Sequence, residues 1–187
     1  KAAVTVTAAS ATKSYDGEPL SNSYYTVTGL VNGEEQSSVT VTGERTTVGV
    51  SANEPSNLVL ANGAKTTNYE ITYVNGALKV EAIDVTVTVI GNTLENVYTG
   101  TEQKTSGYEV SFSSELYTEE DFAYSRTAEV KGTDVGTYAM GLKAEDFSNK
   151  NPNFANVTFI VEDGSLTITK AAVTVTAASA TKSYDGE

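Results

Sequence analysis

Valine and threonine alternate along three stretches of the chain. Val4 and Val6 alternate with Thr5 and Thr7, Val39 and Val41 with Thr40 and Thr42, and Val85, Val87 and Val89 with Thr86 and Thr88. Successive side chains of a strand point to opposite faces, so a period of two predicts half-buried strands with one face apolar and the other polar. Both residue types are β-branched, stiff at χ1 and suited to a pleated surface. Ile71 with Tyr73, and Leu78 with Val80, predict two more strands. Asn75-Gly76 lies between them and predicts a tight turn closing a hairpin, because both residues tolerate positive φ. Asp163-Gly164 predicts the equivalent hairpin further on, and Asn32-Gly33 and Asn62-Gly63 predict further turns. Helical signal is confined to two short pieces. Thr118 stands as an N-cap before Glu119, Glu120 and Asp121, and Lys143 to Phe147 is a second short candidate. The pattern predicts a mainly-β chain of two consecutive small β-sandwich (immunoglobulin-like) modules, with β-grasp-like modules carrying a short helix as the alternative.

The strongest organisational signal is a repeat. Residues 1–18 read KAAVTVTAASATKSYDGE, and residues 170–187 are identical to them at a spacing of 169. The chain is therefore expected to be one full period and the opening of the next within a longer array, with signals, anchors and ligand-binding heads elsewhere. The period divides again. Ser14-Tyr15-Asp16-Gly17, Thr47-Val48-Gly49 and Asn68-Tyr69 in the first half correspond in order to Val97-Tyr98-Thr99-Gly100, Asp134-Val135-Gly136 and Asn153-Phe154 in the second. The expected modules are 1–82 and 83–169, with 170–187 as the first strand of the next repeat. That strand is expected to extend the last strand of the second module or to add to an exposed sheet edge. Only Glu81, Ala82, Ile83 and Asp84 separate Val80 from Val85, with no glycine or proline among them, so bending between modules is expected to be restricted.

Composition narrows the chemistry. A net charge of −12 and a pI near 4.4 disfavour contact with nucleic acid or an anionic membrane surface. With no cysteine and no histidine, disulfides, thiolate or imidazole metal sites, a cysteine nucleophile and a Ser-His-Asp triad are excluded. No nucleophile elbow, phosphate-cradling loop or dinucleotide fingerprint occurs, and no enzyme is expected. No apolar run is long enough to span a bilayer. Glu115, Glu119, Glu120 and Asp121 cluster in sequence and are the candidate calcium ligands, but they form no D-x-D-x-D loop, and solvated surface acids are the favoured reading. Lys13, Lys79 or Lys143 are candidates for an isopeptide bond to Asn68 or Asn153, without support from spacing. Tyr24 and Tyr25 are the candidate ligand-binding aromatics, with core packing or strand pairing as the competing reading.

Lys13-Ser14-Tyr15-Asp16-Gly17, Val97-Tyr98-Thr99-Gly100-Thr101, the Val-Gly steps at 48–49 and 135–136 and the terminal Asn-Tyr/Phe segments resemble the MBG and YDG repeat families of large bacterial surface proteins, especially Gram-positive ones. The first module looks YDG-like and the second MBG-like, with Thr99 in place of the aspartate. The resemblance implies an extracellular, cell-wall-associated, repetitive protein, often with an adhesive head elsewhere. It supplies no ligand, no cofactor and no functional residue. Tyr15 and Tyr98 read as core aromatics beside a turn, and Gly17 and Gly100 as positions whose backbone excludes a Cβ. The function expected is a stalk or spacer that projects a binding domain, with neighbouring repeats as partners. The alternative is an adhesive module that binds host glycans or glycoproteins with avidity from repetition.

Overall fold

A computed structural model describes residues 1–186. The first module contains β1 (Ala2–Ala8), β2 (Ala11–Ser14), β3 (Tyr25–Thr28), β4 (Gln36–Thr42), β5 (Gly49–Leu60), β6 (Tyr69–Val74) and β7 (Gly76–Glu81). The second contains β8 (Ile83–Gly91), β9 (Thr93–Val97), β10 (Gln103–Ser106), β11 (Tyr108–Phe112), β12 (Phe122–Tyr124), β13 (Glu129–Gly132), β14 (Gly136–Ala139), β15 (Phe147–Asn149), β16 (Phe154–Glu162) and β17 (Ser165–Thr169). Helical structure among the described residues is limited to 3-10 turns at Thr66–Asn68, Glu119–Asp121 and Ala144–Asp146, so the sandwich expectation holds and the helix of a β-grasp is absent.

In the first module, one sheet has the order β3-β1-β6 and the other β2-β7-β5-β4. The second module repeats the plan with β11-β8-β16 and β14-β17-β9, and adds the pairs β10-β13 and β12-β15. The alternation is used as predicted. Val4, Val6 and Ala8 of β1 are buried, as are Val85, Val87 and Val89 of β8. Val4 and Val6 meet Leu58, Leu60 and Tyr69 in one cluster, bringing β1, β5 and β6 together around a core. Each such buried side chain contributes about 1.5–3 kcal/mol of hydrophobic stabilisation.

The hairpin expectation at Asn75-Gly76 is overturned. β6 runs parallel to β1, with Val4 opposite Ile71, and β7 runs parallel to β2, with Thr12 opposite Lys79. β7 also pairs antiparallel with β5. The chain therefore crosses from one sheet to the other at Asn75-Gly76 and does not fold back, while Ala9-Ser10 carries the partner strand across beside it. Neither Asn75 nor Gly76 has positive φ. Glycine serves another purpose here. A Cβ on Gly76 would collide with the carbonyl of Ala9 and stand 2.7 Å from that of Ala8. The second module makes the same crossing at Asp163-Gly164, where a Cβ on Gly164 would lie 2.6 Å from the Asn92 carbonyl oxygen. β17 pairs with β14 and β9, so no hairpin closes there either.

The chain packs as two compact units that do not follow the repeat. The first is Lys1–Thr88 with Ser111–Ser125 and Phe147–Ile160, and the second is Val89–Val110 with Arg126–Asp146 and the described residues from Val161 onward. The first unit thus holds the whole first module and part of the second, whose rings form a cluster of Phe122, Tyr124, Phe147 and Phe159 with centroids 4.6–6.0 Å apart.

Residues 170–186 depart from expectation, and Glu187 lies outside the described residues. The segment joins no sheet, and Val173 and Val175 are 83% and 90% exposed although their copies Val4 and Val6 are buried. The reason is tertiary. β1 is held between β3 and β6 and covered by Leu58, Leu60 and Tyr69, and the 187 residues contain no second copy of these partners. The neighbouring turn is local and does recur. Gly186 has φ 87° and Gly17 φ 82°, and Lys182 pairs with Asp185 as Lys13 pairs with Asp16.

Candidate interface between modules

The Tyr15-Asp16-Gly17 turn comes after β2 and is fastened locally. The Asp16 carboxylate takes the Lys13 ammonium and accepts the Glu18 N–H at 2.9 Å, and the Lys13 hydrogen bond holds its carboxyl below the usual range. The Tyr15 N–H donates to the Glu81 carbonyl at 2.8 Å, tying the turn to the end of β7. These bonds present the Tyr15 ring at the end of the first module, where it stands edge-on to Phe154 with centroids 5.7 Å apart and planes at 82°. Phe154 in turn meets Tyr117 edge-on at 4.8 Å. Tyr15 is therefore a half-buried ring at a module end and not a core aromatic, and Tyr98 is 40% exposed.

A second contact lies beside it. The Asn153 Oδ1 accepts the Val48 N–H at 2.9 Å, and the Asn153 carbonyl accepts the Ile83 N–H at 3.3 Å. Arg45 shapes the donor loop by donating to the carbonyls of Thr47 at 2.7 Å and Val48 at 2.6 Å. The acceptor loop is shaped by asparagines. Asn149 Oδ1 accepts the Asn151 N–H at 3.0 Å, and Asn151 Oδ1 accepts the Asn153 N–H at 3.0 Å. Amide side chains have both donors and acceptors, so each loop residue positions the next. Sequence order gives no sign of this pairing, because its partners are joined only by the fold.

The acidic cluster is divided by the structure. Glu115, Glu119 and Glu120 line an open cleft of about 670 Å³ with Phe112, Ser114, Tyr117 and Thr118. Asp121 is engaged elsewhere, accepting the Thr118 N–H at 2.8 Å, the Thr118 hydroxyl at 3.0 Å and the Asn151 amide at 2.7 Å. This is the predicted capped turn. Burial pushes the Asp121 carboxyl upward, but the bonds from Asn151 and Thr118 outweigh it and leave the group below its ordinary value. Burial, with the Asp121 charge adding to it, raises the Tyr117 hydroxyl. Among the described residues no three acidic side chains are grouped to hold a metal ion.

The two candidate ligand tyrosines are separated. Tyr24 is 79% exposed and borders a cleft of about 310 Å³ lined by Ser21, Asn22, Ser23, Val41 and Gly43. Tyr25 begins β3 opposite Ala8 and is half-buried. Of the isopeptide candidates, Lys13, Lys79 and Lys143 each face an acid, Asp16, Glu81 and Glu145, and Asn153 is committed to Val48.

Two sandwiches of one plan, with the turn motif of the first seated on the loops of the second, define a tandem-repeat β protein. The chain belongs to the MBG family: residues 4–79 match the MBG domain of the YGX type, and residues 84–170 match the MBG domain. MBG domains are not known as enzymatic families. No curated protein and no solved structure matches the chain.

Proposed function

We propose that this chain is a non-enzymatic spacer segment of a bacterial cell-surface adhesin, extracellular and wall-associated, which projects a binding domain from the cell. The observation that carries the reading is the joint at Tyr15–Phe154 and Val48–Asn153, which ties the end of one module to the loops of the next without a flexible linker. An edge-on aromatic pair contributes about 0.5–1.5 kcal/mol beyond its buried area, and a hydrogen bond about 1 kcal/mol. Together they favour one relative placement over free bending. Small-angle X-ray scattering on chains of one, two and three full periods tests this. Maximum dimension growing by a constant increment of roughly 60–80 Å per period, two strand-length modules in line, supports the spacer. Growth that falls off with each added period contradicts it.

A second reading has one observation in its favour. Tyr24 is exposed beside a polar cleft that contains Ser21, Asn22 and Ser23, the mixture of ring face and hydrogen-bonding groups that suits a sugar. Adhesion to host glycans by the repeats, lost on Tyr24→Ala with the fold intact, would favour that reading over the spacer.

A further inference from the structure

The face that the first module presents to Phe154 and Asn153 has a counterpart on the second module. The Tyr98 N–H donates to the Thr169 carbonyl at 2.8 Å, as Tyr15 does to Glu81. Gly100 has φ 77° beside it, as Gly17 has φ 82°. The turn survives without the aspartate because the Gln103 amide donates to the Val97 carbonyl at 3.0 Å and the Thr99 and Thr101 hydroxyls meet at 3.0 Å. Val135 sits before Gly136 as Val48 sits before Gly49. Its loop is also braced, by the Tyr138 hydroxyl on the Asp134 carbonyl at 2.9 Å, where the first module uses Arg45. The difference is exposure. Val97, Tyr98 and Val135 are 54%, 40% and 47% exposed, whereas Tyr15 and Val48 are half-buried.

The receiving features recur on the first module. Asn68-Tyr69 leads into β6 as Asn153-Phe154 leads into β16, and Asn68 is exposed. Val31 is 43% exposed on the connection from β3 to β4, and Leu116 is 39% exposed on the connection from β11 to β12. Because residues 170–187 are identical to 1–18, the second module is succeeded along the chain by the opening of another module of the first type.

We propose that the Val97–Tyr98–Val135 face is the docking surface for the first-type module of the next period, a second copy of residues 1–82, with that copy's Asn68 Oδ1 accepting the Val135 N–H. The joint continues the one observed between Val48 and Asn153, and this inference rests on the spacer reading. It differs from that joint in one respect. The outer end of the Tyr69 ring carries a hydroxyl that Phe154 lacks, donating to Glu34 at 2.6 Å and accepting the Val31 N–H at 3.3 Å, so Tyr98 meets Val31 and not a bare ring edge. Joints along an array therefore alternate between an aromatic one within each period and an aliphatic one between periods.

Amide hydrogen exchange on a chain of two periods tests the proposal. The Val135 amide of the first period is expected to exchange about tenfold more slowly than that of the second, and Asn68→Ala in the second period to abolish the difference. Val48 should be protected in both periods throughout. Equal exchange at the two Val135 amides with Val48 protected would overturn this inference alone. Fast exchange at Val48 in both periods would overturn the spacer reading on which it rests.

Discussion

The side-chain oxygen of Asn153 accepts the amide hydrogen of Val48 at 2.9 Å, joining a loop of the first module to a loop of the second across 105 residues of sequence. Both loops are shaped beforehand, one by Arg45 and the other by Asn149 and Asn151, so the bond closes between parts already in place. Preorganisation of this kind lowers the entropy lost on forming the contact.

Replacing the acceptor should loosen the joint and spare the modules. Asn153→Ala is expected to lower stability by about 1 kcal/mol and to speed exchange of the Val48 amide, with core amides of β1 unchanged. Asn153→Asp keeps an acceptor at the same place and should retain Val48 protection. Denaturant unfolding with exchange on the two variants checks both statements.

The sheet crossing gives a sharper mutational contrast. Gly76→Ala places a methyl against the backbone carbonyls of Ala8 and Ala9, neither of which can move without displacing the β1–β2 crossing. A loss of about 3 kcal/mol is expected. At Gly33 nothing lies within reach of an added Cβ and only the positive φ of 72° opposes it, so Gly33→Ala should cost about 1 kcal/mol. Chemical denaturation of the pair measures the difference.

Asn53 is the one buried polar side chain among the described residues, and its Nδ2 donates to the carbonyls of Ala9 and Asn22 at 2.8 Å each. Its Oδ1 has no partner. Asn53→Asp turns both donors into repulsions between oxygens and should destabilise by about 3 kcal/mol at neutral pH. Protonation restores one donor, so the variant should regain part of the loss in acid. Urea midpoints at two pH values test this.

Asp121 makes the capped turn sensitive to acid. Its folded pKa lies below the unfolded one, so its contribution is complete above the unfolded value of about 4 and is lost as pH falls through the folded value. Thermal melts from pH 6 downward should show that loss, and Asp121→Asn should flatten the dependence.

What was legible in the sequence was local. Asn32-Gly33 and Asn62-Gly63 adopt positive φ at all four residues, and Thr118 stands at the N-cap of its turn with Asp121 reaching back to its N–H, because these conformations are decided within a few residues. The Val/Thr alternation reported its own burial for the same reason. Asn75-Gly76 was misleading because its glycine answers to a close approach by Ala8 and Ala9, and the parallel pairing of β6 with β1 spans the module. Residues 170–186 separate the two kinds of information. The Lys182–Asp185 turn copies that of Lys13–Asp16, while the strand before it needs partners that sequence identity cannot supply. The interface was hidden for the same reason: nothing near Tyr15 in the chain points to Phe154.

The central claim is that the motif tyrosine fastens one module to the next, and a double-mutant cycle on Tyr15→Leu and Phe154→Leu measures it most directly. A coupling of about 0.5–1.5 kcal/mol in unfolding free energy is expected. Additivity within about 0.3 kcal/mol would mean that the two rings do not act on each other, and would contradict the account.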